Sequence, residues 1–225
     1  MPHIPVLLHE TIRVLSPLPG ETFIDGTFGS GGHAREIAKA ISPGGTLLCI
    51  DRDPSLVRAG IQIADALARD TKTKVLLMNG NYADADLSMK DAGIKTASGM
   101  LVDAGFSSLH IEDAGRGFSF MREGRLDMRY DQDGGVSAEE VVNSFGVPAL
   151  ENILARYGEE RRARAIAERI VRERKRKRIR TTAELSGIVL SVKGKRKERG
   201  LHGATKTFQA IRIYVNDELG SLERF

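Results

Sequence analysis

Four short apolar runs alternate with stretches of helical periodicity in the first 103 residues, and this alternation constrains the fold more than any other feature. The runs TFIDGT, TLLCID, KVLLM and GMLVD each have the composition of a buried strand, and they begin at Thr22, Thr46, Lys74 and Gly99. Helical patterns lie between them at residues 34–41, 55–69 and 82–92. Strands and helices alternating at this spacing predict a parallel sheet with right-handed crossovers, which is an α/β fold.

The alternation ends after Asp103. A long segment rich in Gly, Arg and Asp follows, and then three amphipathic helical patterns, so residues 105–200 predict a mainly helical insertion with a flexible basic loop at 193–200. The last segment carries one apolar stripe, formed by Phe208, Ile211, Val215, Leu219 and Leu222. We therefore predict a first domain over residues 1–104, the insertion over 105–200, and a helix within 201–225 that returns to pack on the sheet.

Basic residues are concentrated in one part of the chain. Residues 156–199 contain 17 of the 34 Lys and Arg but only 6 of the 30 Asp and Glu, although the formal net charge of the whole chain is only +4. The remainder of the chain is net acidic as a result. This asymmetry predicts that the helical insertion has a polyanionic partner.

Composition excludes several other classes of protein. No run approaches the roughly 20 apolar residues of a membrane helix, and the N-terminal MPHIPVLLHE does not have the basic region of a signal peptide. The single cysteine, Cys49, lies in an apolar run, which predicts a core residue and a cytoplasmic protein. The five histidines show no ligand spacing, so we predict no metal site.

A glycine-rich turn follows the first predicted strand. Gly29, Gly31 and Gly32 lie between strand and helix, where bare backbone lets a ligand approach closely. Asp51 ends the next strand, 20 residues after Gly31, at the position where an acid commonly binds ribose hydroxyls. The pattern predicts an adenosine-containing cofactor, and the alternative is that the glycines serve only a tight turn.

The loop does not have the G-x-G-x-x-G spacing of dinucleotide-binding folds. Asp25 also ends the first strand, where a carboxylate would repel a diphosphate but attract a cationic amino or sulfonium group. S-adenosylmethionine has both cations, so a methyltransferase is favoured over a nucleotide-dependent oxidoreductase. Asp103, at the carboxyl end of the fourth strand, would either orient an exocyclic amine for methyl transfer or hold the cofactor.

Seven sequence blocks resemble the signature blocks of one enzyme family. They run in order from His3 to Leu219 and read HIPVLLHE, IDGTFGSGGH, IDRDP, LVDAGFSS, RGFSFMREGRLDMR, YGEERRARAIAERIV and ATKTFQAIRIYVNDEL. The family is the bacterial small-subunit (16S) ribosomal RNA cytosine-N4 methyltransferase, called RsmH or MraW. Blocks such as TFQAIRI are not general features of methyltransferases, so the resemblance is specific and covers nearly the whole chain.

The resemblance implies methylation of N4 of a cytosine in small-subunit rRNA near the ribosomal P site, with S-adenosylmethionine as the methyl donor. It implies a Rossmann-like methyltransferase sheet with an inserted helical domain, a small-subunit or rRNA partner, and a cytoplasmic location. The implied cofactor contacts are Gly31, Gly32, His33, Asp51, Tyr82, Asp103 and His110. Tyr82 would stack on adenine, and Asp103 is the candidate catalytic residue.

With rRNA as the partner, two groups of residues become candidate RNA contacts. The basic insertion would grip the RNA backbone through the run Arg174, Lys175, Arg176, Lys177 and Arg178. In the preceding loop, Arg116 and Arg129, with Phe118, Phe120 and Asp127, would help to present an unstacked base, since chemistry on a base requires its removal from the stack.

The chain departs from the family pattern in several places. The loop DAGFSSLH has His110 where the family has Gln, LDMRY replaces L-D-M-R-M, and HGATKTFQ has no Pro and carries Lys206 in place of Arg. The family's C-terminal strands are absent from this chain, so we expect an unpaired edge at the fourth strand that a homodimer would cover. A truncated paralogue or fragment that binds cofactor or RNA without turnover is therefore the alternative to an active enzyme.

Overall fold

The computed structural model describes residues 5–105, 107–194 and 202–225. The chain divides into two compact units, a sheet unit of Met1–Gly105 with Gly220–Phe225 and a helical unit of Phe106–Leu219. The parallel sheet and its alternating helices confirm the α/β fold class predicted from the sequence. Residues 195–200 of the predicted basic loop lie outside the described residues.

The sheet has four strands, β1 (Thr22–Asp25), β2 (Thr46–Asp51), β3 (Lys74–Asn79) and β4 (Gly99–Leu101). All pairs are parallel and the spatial order is β3-β2-β1-β4, so the first strand lies in the interior of the sheet. Within the described ranges, β4 pairs with β1 alone. The homodimer that would cover this edge stays a prediction.

Helices cover both faces of the sheet. Leu47 and Cys49 of β2 are buried on the face covered by α1 (Leu8–Leu15), α2 (Gly32–Ala40) and α3 (Pro54–Thr71). Leu48 and Ile50 face the other way and pack with α4 (Ala85–Asp91). Burial raises the pKa of the Cys49 thiol well above its usual range, and the nearby Asp25 raises it further. Cys49 is therefore a core residue, as the sequence predicted.

The predicted helices of the sheet unit are present with small shifts of their ends. Asp53 caps α3, because its Oδ1 accepts the Ser55 N–H at 2.8 Å, and Pro54 occupies the first turn, where its missing N–H is tolerated. The third predicted helix, at 82–92, begins instead with a 3₁₀ turn over Tyr82–Asp84 before α4.

The helical unit contains α5 (Ser108–Glu112), α6 (Ala138–Ser144), α7 (Val147–Gly158), α8 (Ala163–Arg174), α9 (Thr182–Lys193) and α10 (Thr205–Val215). Its core has one continuous apolar cluster, to which α8 contributes Ala163, Ile166, Ala167 and Ile170 at helical spacing. Helix α7 packs against both α8 and α10. In the part of the chain that the structure describes, no helix is long and apolar enough to cross a membrane.

The C-terminal segment differs from the sequence prediction of one helix that returns to the sheet. Helix α10 ends at Val215, Asp217 adopts a left-handed φ of 45°, and α11 (Glu218–Arg224) follows. Phe208 and Ile211 are buried in the core of the helical unit, and only Gly220–Phe225 belongs to the sheet unit. The apolar stripe correctly predicted a helix, but periodicity does not specify which core a helix fills.

Asn216 joins the end of α10 to the irregular segment at 128–130. Its Nδ2 donates to the Met128 carbonyl at 2.7 Å, and its Oδ1 accepts the Tyr130 N–H at 2.8 Å. Met128 is fully buried with a φ of 65°, which is uncommon for a residue other than glycine. The Asn216 amide therefore satisfies buried backbone groups on a segment that has no regular structure of its own.

Replacing Asn216 with Ala should lower the free energy of unfolding by about 2 to 3 kcal/mol, because buried backbone groups lose their partners. Chemical denaturation followed by circular dichroism measures this change. The control is Gln209→Ala on the exposed side of α10, expected to change stability by less than about 0.5 kcal/mol. Equal effects of the two substitutions would contradict a structural role for the Asn216 amide.

Candidate functional site

The loop between β1 and α2 is held against the end of β2 by backbone hydrogen bonds. The Phe28 N–H donates to the Ile50 carbonyl at 3.0 Å, and the Gly31 N–H donates to the Phe28 carbonyl at 2.7 Å. Gly29 and Gly31 have φ values of 53° and 75°, in the left-handed region that favours glycine. The sequence therefore specifies a fixed turn rather than a flexible one.

The structure gives a different reason for glycine at positions 31 and 32 from the one that the sequence suggested. A Cβ at Gly31 would meet Phe28 and Ile63 at 3.1 Å, and one at Gly32 would overlap Pro5. Packing of the chain on itself thus accounts for glycine at both positions. A Cβ at Gly29 would have only the Thr27 carbonyl oxygen nearby, at 3.9 Å, so Gly29 is the open position of the loop. Cofactor contacts at Gly31 and Gly32 stay a prediction.

Three aspartates lie at the carboxyl ends of neighbouring strands. Asp25 pairs in register with Cys49 of β2 and Leu101 of β4, and Asp51 and Asp103 each follow two residues later. Because side chains alternate along a strand, Asp51 lies on the same face of β2 as Cys49, the residue opposite Asp25, whereas Asp103 lies in the loop beyond the end of β4. No group of three or more His, Cys, Asp or Glu in the described ranges is arranged to hold a metal ion.

Asp25 is buried among these acids. Burial raises its pKa to about 7, and the charges of Asp51 and Asp103 add to the rise, whereas the N–H groups of Thr27 and Ala34 offset part of it. Its Oδ1 accepts the Thr27 N–H at 3.1 Å. Its Oδ2 is also buried but accepts no hydrogen bond from any residue that the structure describes. A ligand with a donor or a positive charge would satisfy this oxygen.

Asp51 connects two loops through its carboxylate. Its Oδ2 accepts the Gly29 N–H at 2.7 Å, and its Oδ1 accepts the Asp53 N–H at 2.9 Å. The structure shows that Asp51 fixes the glycine loop, a role that spacing in the sequence did not indicate. Cofactor contact at Asp51 stays a prediction.

Asp103 lies in the loop after β4 and has an exposed side chain. Its N–H donates to Thr27 Oγ1 at 2.8 Å, so a side chain of the glycine loop fixes the backbone at Asp103. Sequence reasoning did not single out Thr27, because one hydroxyl in a turn gives no signal of a partner 76 residues away. The Asp103 carboxylate is accessible to a substrate.

Tyr82 and His33 also lie in the sheet unit. The Tyr82 Cβ is 2.7 Å from where a Gly26 Cβ would be, and its ring meets Phe225 edge-on with centroids 5.9 Å apart. His33 is buried at the start of α2, and its Nε2 has no hydrogen-bond partner within the described residues. A buried nitrogen without a partner is a second position where a ligand would satisfy a polar group.

His110 lies in the helical unit and is buried there. Its Nδ1 accepts the Ser107 N–H at 3.1 Å, which completes the capping box of α5. Its ring lies 4.9 Å from that of Phe118 and 5.1 Å from that of Tyr130, measured between centroids. His110 therefore caps a helix and fills an aromatic cluster, and its predicted contact with the cofactor stays a prediction.

The side chains of Arg116 and Arg129 donate hydrogen bonds to groups within the helical unit. Arg129 forms a bidentate pair with buried Asp127, at 2.8 and 2.9 Å. Burial alone would raise the pKa of Asp127, but the hydrogen bonds and charge of Arg129 hold it below its usual value. Arg116 donates to the carbonyls of Arg129 and Tyr130. Both arginines stabilise the loop, and RNA contacts through them stay a prediction.

The basic run at 174–178 is only partly available to a partner. Arg174 donates to the carbonyls of Val142 and Phe145 at the end of α6. Lys177 and Arg178 form ion pairs with Glu184 and Glu139, at 2.6 and 2.7 Å. Lys175 and Arg176 are exposed and form no ion pair within the described part of the chain, so they are the members of the run that a partner can reach.

Comparison with known proteins points to one family. A model of the MraW methylase family matches residues 1–225. The chain is 46% identical over 224 residues to the ribosomal RNA small subunit methyltransferase H of Methylobacterium nodulans. It is 43% identical over 223 residues to the protein of that name from Parvibaculum lavamentivorans, and each alignment covers 99% of this chain. The chain spans 64% of the length of each of these two relatives.

A third relative, the protein of the same name from Acidobacterium capsulatum, is 42% identical over 224 residues. That alignment covers 98% of this chain and 73% of the relative. The similarity thus extends over both compact units and is not confined to the glycine loop.

Stability should depend on pH through Asp25. Its folded pKa of about 7 lies above the usual 3.8, so at intermediate pH the folded state holds a proton that the unfolded state has released. Stability then falls as pH rises from about 4 to about 7, by at most about 4 kcal/mol, and levels off above that range. Asp25→Asn has no carboxyl group to ionise at this position. Between about pH 5 and pH 8 its free energy of unfolding should therefore fall by about 2 to 3 kcal/mol less than that of the unsubstituted chain.

Urea unfolding at the two pH values measures the difference. Asp65→Asn on the exposed side of α3 removes the same charge and should follow the unsubstituted chain. Parallel pH dependence in the Asp25→Asn and unsubstituted chains would contradict a raised pKa at Asp25.

Proposed function

The chain belongs to the MraW methylase family, and on that premise we propose that it methylates N4 of a cytosine in small-subunit rRNA near the ribosomal P site, with S-adenosylmethionine as methyl donor. The names of the relatives support an rRNA substrate. The observation that carries the choice of cofactor is the buried Asp25 Oδ2 without a partner among the described residues. The small ribosomal subunit or its rRNA is then the partner, and the cytoplasm the place of reaction.

The cluster of carboxylates supports a cationic cofactor. Asp25 lies close enough to Asp51 and Asp103 for their charges to raise its pKa. A diphosphate near three acids would be repelled, whereas a sulfonium or ammonium group would be attracted and would favour ionisation of Asp25. This electrostatic argument favours a methyltransferase over a nucleotide-dependent oxidoreductase.

Residues of the sheet unit supply contacts of the chemistry that such a cofactor requires. Asp51 offers a carboxylate, the group that commonly binds ribose hydroxyls at the end of this strand, and Tyr82 offers an aromatic ring for adenine. Asp25 Oδ2 and His33 Nε2 are buried groups that accept or donate nothing within the described residues. Gly29 is the loop position at which added atoms meet open space. The cofactor would supply an electrophilic methyl group at this site.

Asp103 is the residue that we assign to the substrate amine. Its exposed carboxylate accepts a hydrogen bond from the exocyclic amine, which aims the nitrogen lone pair at the methyl carbon. It would also accept the proton that the nitrogen loses on methylation. The hydrogen bond from its N–H to Thr27 keeps the carboxylate beside the glycine loop.

The exposed cations of the helical unit would bind the rRNA backbone. Lys175 and Arg176 are exposed, and so are Arg161 and Arg172. Phosphate contacts of this kind contribute affinity and depend on salt. Arg116 and Arg129 support this surface indirectly, because they hold the loop at 127–134 in place.

Calorimetry should detect binding of S-adenosylmethionine to this chain, and Asp51→Ala should weaken it at least about tenfold, or about 1.4 kcal/mol. The substitution removes both the ribose acceptor and the tether to Gly29. Asp51→Asn, which keeps one acceptor oxygen, should lose less, and Asp65→Ala is the exposed control. Equal binding by all variants would remove Asp51 from the site. Binding of NADH in place of S-adenosylmethionine would support the oxidoreductase.

Asp103→Asn should bind the cofactor normally but transfer methyl groups about 100-fold or more slowly, because it removes the proton acceptor. The assay follows labelled methyl groups into unmodified small subunits, and mass spectrometry of the digested rRNA identifies the modified atom. A product other than N4-methylcytosine would contradict the proposed substrate. Cofactor binding without transfer by the unsubstituted chain would indicate a binding module.

A further inference from the structure

A cavity of about 310 Å³ opens in the helical unit between α8 and α9. Its lining includes the cations Arg169, Arg176, Lys177 and Arg178, the acids Glu173 and Glu184, and Gly187, Ile188 and Ser191 of α9. Its volume is near the lower end of the range for small-molecule sites, enough for one nucleotide but not for a duplex. None of the three aspartates of the sheet unit contributes to this lining.

The cations around the cavity are not equivalent. Arg169 forms an ion pair with Glu173 at 3.0 Å, and Lys177 forms one with Glu184 at 2.6 Å. Arg176 is exposed and has no acidic partner in the ranges that the structure describes. Glu173 and Glu184 also line the cavity, each paired with one of these two cations, so within the described residues Arg176 is the lining cation whose guanidinium is left for an incoming anion.

Gly187 lies in the interior of α9, where glycine costs about 1 kcal/mol relative to alanine. Its φ is not in the left-handed region, so the backbone conformation does not require glycine. A Cβ at this position would meet no described atom within 4 Å, so packing does not require it either. Gly187 instead leaves bare helix backbone on the cavity wall, beside the half-buried Ile188.

We propose that this cavity binds one unpaired nucleotide of the rRNA substrate, a proposal that depends on the proposed function. Arg176 pairs with a phosphate, and the base or ribose lies on the surface formed by Gly187 and Ile188. Ser191 Oγ donates to the Ile188 carbonyl at 2.7 Å and keeps lone pairs that accept a hydrogen bond from the nucleotide. Proteins recognise RNA mainly through such unstacked nucleotides, which aromatic, apolar or guanidinium surfaces receive.

Binding of fluorescently labelled, unmodified small-subunit rRNA to the 225-residue chain tests the proposal. Gly187→Leu fills the cavity wall and Arg176→Gln removes the unpaired charge. Each should raise the Kd at least about tenfold, since each removes a contact with the same nucleotide. The controls are Ala165→Leu, which adds a leucine side chain at an exposed position of α8 outside the cavity, and Arg58→Gln, which removes an exposed cation from α3. They should raise the Kd by less than about threefold.

Gly187→Ala separates binding from folding. Alanine is favoured in a helix and meets no neighbour here, so this variant should unfold at a higher denaturant concentration than the unsubstituted chain. Under the proposal it nevertheless binds rRNA more weakly, because its methyl group occupies the wall. Greater stability with unchanged rRNA affinity would overturn the proposal, as would pocket variants that match their controls, or no rRNA binding by the unsubstituted chain.

The experiments distinguish failure of this proposal from failure of the proposed function. If the unsubstituted chain transfers methyl groups but the pocket variants bind rRNA like their controls, the proposed enzyme is supported and the nucleotide site is contradicted. If the pocket variants bind rRNA more weakly but the unsubstituted chain transfers no methyl groups, the nucleotide site is supported and the proposed enzyme is contradicted.

Discussion

Burial of the Asp25 carboxyl beside two other acids is the constraint on which the candidate site depends. Parallel pairing puts Asp25 in the sheet interior, between the strands that lead to Asp51 and Asp103. Burial opposes ionisation, and one oxygen is left without a hydrogen bond from the described residues. A fold that optimised stability alone would place an apolar residue there. The energetic cost of burying Asp25 is explained if the site binds a cation, because the ligand then supplies the positive charge that the protein does not provide.

Hydrogen bonds at Asp51 and Asp103 also hold the loops of the candidate site in place. Asp51 accepts N–H groups from the glycine loop and from the start of α3, and Thr27 fixes the backbone at Asp103. A substitution at Asp51 therefore changes the shape of the loop as well as the proposed ligand contact. In the helical unit the pair of Asp127 and Arg129 has a comparable structural task, in a segment with little regular structure.

Sequence reasoning predicted the features that depend on local pattern. The four strands, the helices between them and the cluster of helices after Asp103 follow from apolar periodicity, and the family follows from motifs spread along the chain. Features set by tertiary partners were not predictable in this way. The stripe that includes Phe208 gave no indication of which core it fills. The carbonyl and carboxylate partners of Arg116 and Arg129 are likewise invisible in a linear pattern.

Cys49 has a practical consequence for studying this molecule. It is the sole thiol of the chain, it lies fully buried in β2, and burial with the nearby Asp25 keeps it protonated. Such a sulfur reacts slowly with maleimides or iodoacetamides while the protein stays folded. A cysteine introduced on an exposed helix would then take up a dye or spin label selectively, so distances and motions within either compact unit become measurable without first removing the native residue.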